Sequence, residues 1–142
     1  MRLSVGCDSL RIMSTTPTVQ VTGIAFTGYP VTDMARARAF YEQVLNLKTS
    51  QVFEQGGKAW VEYDIGPATL GVTNMAEAWK PSADGPTVAL EVADFEAAIA
   101  ALKAAGTPFT VEPSDNGPCL MAVVRDPDGN SIAIHRRKPP QG

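Results

Sequence analysis

Two stretches of the chain carry the same order of apolar and polar positions. In each, a short apolar run is followed by an aspartate and then by apolar residues three and four positions apart, the spacing of one helix face. The two aspartates, Asp33 and Asp94, lie 61 residues apart. The pattern predicts that one structural unit occurs twice in tandem.

The residues around each aspartate predict a helix with defined ends. A carboxylate before an apolar helical stripe accepts the free amide hydrogens of the first turn, so we interpret Asp33 and Asp94 as N-caps, not as catalytic acids. The helices are expected to end at Asn46 and Gly106, which tolerate the left-handed conformation. The predicted buried stripes are Ala37, Phe40, Tyr41 and Val44 in the first copy and Phe95, Ala98, Ile99 and Leu102 in the second.

One strand is predicted before each helix and three after it. The expected strands are residues 23–29, 50–53, 59–64 and 69–73 in the first copy and 87–92, 109–112, 120–125 and 131–135 in the second. Tight turns are expected at Gly56-Gly57 and over the run Asp126-Pro127-Asp128-Gly129-Asn130. Each copy therefore reads as a βαβββ module.

The divisions of the chain follow from these elements. They are a disordered leader or upstream start at residues 1–20, a first module at 21–75, a connector at 76–86, a second module at 87–138 and a tail at 139–142. Met13 reads as the natural start. The N-terminal apolar stretch is about half the length of a signal-peptide core, and no run approaches the ~20 apolar residues of a membrane span.

Composition limits the function classes. The 142 residues are 44% hydrophobic and 19% charged, which is typical of a globular domain. The net charge of −3 disfavours nucleic acid and anionic lipid as partners. Cys7 and Cys119 lack metal-ligand spacing and favour a reducing, cytoplasmic location. Cys119 has no neighbour that would activate its thiol, so we expect a buried apolar residue.

Three features together resemble the vicinal oxygen chelate family, which includes glyoxalase I, extradiol dioxygenases and bleomycin-resistance proteins. They are the two βαβββ modules, the Val-x-Asp helix start followed by Phe40-Tyr41, and the turn over residues 126–130 before the last strand. The resemblance covers residues 21–138. It implies an α+β fold in which the modules form a curved mixed-sheet cup that holds ligand or metal, and it implies a homodimer.

Alternation along the strands assigns their faces. The rows expected to face the helices are Leu70 and Val72; Val88, Leu90 and Val92; Ile132 and Ile134. The rows expected to face the cup are Ile24, Phe26 and Gly28; Thr69, Gly71 and Thr73; Thr87, Ala89 and Glu91; Ser131, Ala133 and His135.

Metal-dependent members of the family place one His, Gln or Glu ligand on the first and last strand of each module. By resemblance, these positions fall on Phe26, Gly71, Thr87 and Ala133. None of these side chains suits a divalent cation, so no metal and no cofactor is expected. Glu91 and His135 lie four and two residues beyond their expected positions. Because these offsets differ by at least ~7 Å along the strands, the two side chains are not expected to share an ion.

A cup with such side chains has the chemistry of a small-molecule pocket. The first hypothesis is a metal-independent protein that sequesters a small organic ligand. The residues expected to line its site are Phe26, Trp60, Glu62, Gly71, Trp79, Thr87, Ala89, Cys119, Met121, Ala133 and His135. Ordinary core packing is an equal alternative for both tryptophans.

Two other functions stay open. One is a lyase, isomerase or dioxygenase of the family, with displaced ligands or with metal-free acid/base catalysis by Glu91 and His135, assisted by Glu62. The plainest interpretation of His135, which precedes Arg136 and Arg137, is instead a solvated strand end. The other function is a purely interacting protein.

Overall fold

The computed structural model describes residues 17, 18, 20, 22 and 24–139. The first module contains β1 (Thr27–Pro30), α1 (Met34–Arg38), β2 (Thr49–Gln55), β3 (Lys58–Ile65) and β4 (Ala68–Thr73). The second contains β5 (Val88–Glu91), α2 (Phe95–Ala104), β6 (Phe109–Asp115), β7 (Cys119–Arg125) and β8 (Ser131–Arg137). A π-helical segment over Ala39–Val44 continues α1. The predicted start at Met13 and the position of Cys7 lie outside the described residues.

Each module forms its own four-stranded mixed sheet. The strand orders are β1-β4-β3-β2 and β5-β8-β7-β6. In both sheets the first strand runs parallel to the last strand of its module, and the remaining pairs are antiparallel. The predicted α+β fold of two tandem βαβββ modules is confirmed.

The two leading strands are shorter than predicted. β1 begins at Thr27, so Phe26 precedes the strand instead of lying within it. Thr27 pairs with Leu70, and β4 starts only two residues before Leu70, at Ala68. The residues well before Thr27 therefore have no strand to pair with. β5 omits both Thr87 and Val92.

The predicted helix ends are confirmed. The Asp33 carboxylate accepts a hydrogen bond from the Arg36 amide at 3.1 Å, and Asp94 accepts one from the Ala97 amide at 3.0 Å. Asn46 has a φ of 57° and Gly106 a φ of 74°, both left-handed, just after the helices. Among the residues described, neither helix is long and apolar enough to cross a membrane.

A single core joins the helix-facing rows of both sheets. Its largest fully buried side chains include Tyr41 and Tyr63, whose rings stack with centroids 6.0 Å apart. Leu70, Val72 and Ile134 belong to this core, as predicted. Each such side chain contributes roughly 1.5–3 kcal/mol by leaving water.

The turn between β7 and β8 docks the second module on the first. Asp126 is buried and accepts hydrogen bonds from the Tyr41 hydroxyl at 2.8 Å and the Asn130 side-chain amide at 2.9 Å. Asn130 also donates to the carbonyl oxygen of Pro30 at 2.9 Å. Asp128 accepts from Thr32 and from Arg36, the latter at 3.0 Å. The predicted turn is therefore also an interface between the modules.

Candidate functional site

Two tryptophan rings lie directly on glycines of the first sheet, on the face opposite α1. Gly28 of β1 pairs with Gly71 of β4. A Cβ added at Gly71 would lie 2.5 Å from Cζ2 of Trp60, and one added at Gly28 would lie 2.7 Å from Cη2 of Trp79. Only glycine permits so close an approach of a ring to the backbone. Trp79, expected in the connector, therefore folds over the sheet.

Two phenylalanines extend this surface. The Phe26 ring meets Trp60 edge-on, with centroids 5.0 Å apart at 83°. Phe53 on β2 lies opposite Trp60 on β3. Phe26, Phe53 and Trp79 are 46%, 63% and 41% exposed. We call Phe26, Phe53, Trp60 and Trp79 the aromatic face. So many exposed large rings in one place mark a binding or interaction surface.

Glu62 fixes the position of the Trp60 ring. The indole Nε1 donates a hydrogen bond to Glu62 Oε2 at 2.8 Å. Glu62 pairs with Gly71 in the sheet, so this bond holds the indole across that glycine. A carboxylate has further acceptor sites, which leaves Glu62 able to bind another donor. Trp60 and Glu62 share one face, as predicted, while Tyr63 is buried on the other.

The second sheet brings Glu91 and His135 together. Their Cα atoms pair across β5 and β8, and His135 Nδ1 lies 2.6 Å from Glu91 Oε1. The Arg137 amide donates to Glu91 Oε2 at 2.7 Å. This backbone hydrogen bond, and then the one with His135, hold the pKa of Glu91 below its ordinary value.

Two expectations about this pair were wrong, namely the separation of at least ~7 Å along the strands and the position of His135 at a strand end. Their offsets were counted from Thr87 and Ala133, but Ala133 is level with Ala89, so Glu91 and His135 meet. His135 is also not a strand end, because β8 continues to Arg137. The register of the parallel strands β5 and β8, which the sequence leaves open, decides the first point, and the antiparallel pairing of Arg137 with Cys119 on β7 decides the second.

A cavity of about 550 Å³ adjoins His135. It is lined by Gly117, Pro118, Cys119, His135, Arg137, Lys138 and Pro139. Cys119 is partly exposed rather than buried, because it is the first residue of β7 at the mouth of this cavity. Met121 pairs with His135, on the same face as Cys119.

The remaining predicted residues lie apart from the aromatic face. Thr87 is exposed beside β5, and its hydroxyl donates to the carbonyl oxygen of Ser131 at 2.9 Å. Ala133 is buried in the second sheet. Ala89 lines a separate apolar cleft. The predicted residues therefore do not form one site: those of the first sheet gather at the aromatic face, Cys119 and His135 line a cavity on the second sheet, and Thr87, Ala89 and Ala133 lie elsewhere.

Sequence analysis missed Gly28 as a contact of Trp79 and Phe53 as a part of the aromatic face. The turn at Gly56-Gly57 could have predicted the position of Phe53. A two-residue turn fixes the hairpin register and places Phe53 opposite Trp60.

Comparison with known proteins identifies the family. The family model of the Glyoxalase/Bleomycin resistance protein/Dioxygenase superfamily matches residues 23–134. The chain belongs to this superfamily. Comparison with curated proteins gave no match.

Solved structures of this superfamily's fold resemble the chain at low identity. TnmS3, an antibiotic binding protein from Streptomyces sp. CB03234, matches with a TM-score of 0.70 and 19% identity, over 85% of this chain and 100% of its own. The fosfomycin resistance protein FosX from Listeria monocytogenes gives 0.65 and 13%, over 84% and 96%. Glyoxalase I from Leishmania major gives 0.64 and 22%, over 82% and 87%. At these identities the similarity shows the fold alone.

The residues that the resemblance assigns to the family's metal positions do not suit a metal ion. Phe26, Gly71 and Ala133 have no donor atom, and the Thr87 hydroxyl is a poor ligand. The Trp60 ring also covers Gly71. Within the described part of the chain, no three His, Cys, Asp or Glu side chains gather around one point.

Proposed function

We propose that this superfamily member is a metal-independent binding protein that holds a flat aromatic molecule against the aromatic face. The observation that carries the proposal is the seating of Trp60 and Trp79 on Gly71 and Gly28. At Gly71, where related enzymes place a metal-binding carboxylate, this chain places an indole. Aromatic rings bind planar organic molecules by offset stacking and by removing apolar area from water.

Charge narrows the ligand class. Glu62 lies beside the Trp60 ring and can accept a hydrogen bond from the ligand. A cation over an aromatic ring gains further energy. Planar cations are therefore the favoured class. The fold shared with TnmS3, an antibiotic binding protein, supports a sequestering role.

Tryptophan fluorescence tests this proposal. The chain has two tryptophans, Trp60 and Trp79, and both belong to the aromatic face. Titration with 9-aminoacridine, a planar aromatic cation, is expected to quench their emission saturably. Glu62→Gln should weaken binding about tenfold. Glu54→Gln, on the other face of the first sheet, is the matched control and should bind like the parent.

A second measurement tests metal independence. Binding should persist unchanged after exhaustive chelation. A stoichiometric divalent ion that survives mild chelation, or binding that Trp60→Leu leaves unaltered, would refute the proposal. We also expect a cytoplasmic homodimer. Sedimentation velocity and cell fractionation test these two points.

A second candidate function rests on the Glu91–His135 pair. With Nδ1 of His135 held by Glu91, the ring can exchange a proton at Nε2, as a general base requires. This favours metal-free proton transfer next to a carbonyl. The test measures the rate at which the protein, with a chelator present, exchanges deuterium from the solvent into hydroxyacetone. Exchange that is lost in both Glu91→Gln and His135→Asn would support this function, and exchange no faster than buffer would exclude it.

A further inference from the structure

An apolar cleft of about 480 Å³ lies between the two modules, on the side of the sheets that carries the helices. Leu47, Ile65 and Leu70 line it from the first module, and Leu90, Ala101 and Leu102 from the second. Leu70 and Leu102 are almost wholly buried, so the cleft is a recess with a floor rather than a flat patch.

The tandem duplication explains one wall of this cleft. Asp33 and Asp94 cap equivalent helices, and the same 61-residue offset relates Gly28 to Ala89 at matched sheet positions. This offset makes Leu90 the equivalent of Tyr29, Ala101 of Phe40 and Leu102 of Tyr41. The second module therefore has smaller side chains at three positions where the first has aromatic rings.

The opposite wall of the cleft differs from its counterpart in polarity. The two hairpins can be aligned residue by residue. Trp60 pairs with Thr73 in the first sheet, and Met121 pairs with His135 at the equivalent place in the second. Ile65 and Ala68 then take the places of Asp126 and Asn130.

At one junction between the modules, the rings of Tyr29 and Tyr41 and a polar turn fill the space. Their hydroxyls bond to Ser131 and Asp126. At the equivalent junction, the apolar side chains of Ile65, Leu90 and Leu102 leave the space open.

We infer that this cleft is a second ligand site, which takes an uncharged apolar molecule built of one or a few rings. The equivalent junction between the modules shows what fits this cleft, because the aromatic rings of Tyr29 and Tyr41 fill that junction. The volume lies within the range of small-molecule sites, roughly 300–1,000 Å³. Apolar residues replace Asp126 and Asn130. Among the described residues, the polar side chains that border the cleft are only Thr27, Thr69 and Glu91, so a ligand with few polar groups fits it best.

This site is distinct from the aromatic face. Leu70 lines the cleft, and its neighbour Gly71 lies under Trp60 on the other side of the sheet. Successive strand residues point to opposite faces. A substitution in the cleft therefore leaves the aromatic face intact, and the two proposals succeed or fail separately.

The test uses the full chain and N-phenyl-1-naphthylamine, an uncharged fluorescent probe with three rings. Ala101 is exposed at the cleft, so Ala101→Phe restores the ring of the first module without disturbing the buried floor. We expect Ala101→Phe to weaken probe binding about tenfold or more. The matched control is Ala100→Phe, an exposed position of the same helix outside the cleft lining, which should bind like the parent. Trp60→Leu should also bind the probe normally.

Three results would overturn this inference. One is no probe binding by the parent protein. Another is equal weakening by Ala101→Phe and Ala100→Phe. The third is a dimer in sedimentation velocity that Ala101→Phe dissociates, because this would assign the cleft to a second copy of the chain.

Discussion

The Tyr29 hydroxyl donates a hydrogen bond to the carbonyl oxygen of Ser131 at 2.7 Å and so joins the first module to the second. The Val88 amide donates to the same hydroxyl at 2.8 Å. Four residues further along these strands, the Val92 amide bonds directly to the His135 carbonyl at 2.9 Å. The hydroxyl thus stands in for one bond of the β5–β8 ladder, where paired strands would otherwise bond directly.

Tyr29→Phe should lower the free energy of unfolding by about 1–3 kcal/mol, because the Val88 amide loses this acceptor and the Ser131 carbonyl is left with the Thr87 hydroxyl as its side-chain donor. Urea unfolding followed by circular dichroism measures the change. Ser114→Ala removes an exposed hydroxyl and should change stability by less than about 0.5 kcal/mol. Equal midpoints for parent and Tyr29→Phe would contradict the bridging role.

The sequence predicted the modules, the helix caps and the turns because each depends on residues close together in the chain. The pairing of Glu91 with His135 escaped prediction, since it depends on the register of two parallel strands 44 residues apart. The contact of Tyr29 with the second sheet also escaped prediction, because it depends on how the two modules pack against each other. The position of Trp60 was predicted from alternation, but its seating on Gly71 became visible only in three dimensions.

Asp126→Ala should destabilise the protein by about 3 kcal/mol or more, because the buried Tyr41 hydroxyl and Asn130 amide lose their acceptor. Urea unfolding provides the measurement. Asp84→Ala, at an exposed position of the connector, serves as the control and should leave the midpoint unchanged. A loss no greater than that of the control would show that the turn does not hold the modules together.

Gly71→Ala should displace the Trp60 ring, since the new Cβ would lie 2.5 Å from Cζ2. We expect a shifted tryptophan emission, about tenfold weaker 9-aminoacridine binding and a stability loss of about 1–3 kcal/mol. Gly85→Ala is the matched control, because its Cβ would meet Ser82 at an ordinary 3.6 Å. Unchanged emission and binding in Gly71→Ala would rule out the close seating of the ring.

All three tyrosines should stay protonated until the protein unfolds in alkali. Burial is the main cause that raises the pKa of Tyr29, Tyr41 and Tyr63, assisted by Asp126 at Tyr41 and by Glu42 at Tyr63. Because the folded-state pKa values are raised, the protonated tyrosines contribute to the free energy of unfolding. This contribution is complete below the ordinary pKa of about 10 and is lost as the pH rises beyond that value.

Tyrosinate absorbance and circular dichroism, recorded in one alkaline titration, check this expectation. The two signals should change together. In urea, the tyrosines should instead titrate at a pH of about 10. Tyrosinate that forms gradually while the circular dichroism stays native would contradict the buried hydrogen-bonded hydroxyls.

The turn over residues 126–130 makes the repeats depend on one another. Tyr41 in the first repeat finds its acceptor only in the second, and Asp126 in the second finds that donor only in the first. Separated at the connector, each half would bring a buried polar group into the fold without its complement. We therefore expect the two repeats to unfold as a single cooperative unit, with one transition in which neither repeat melts without the other.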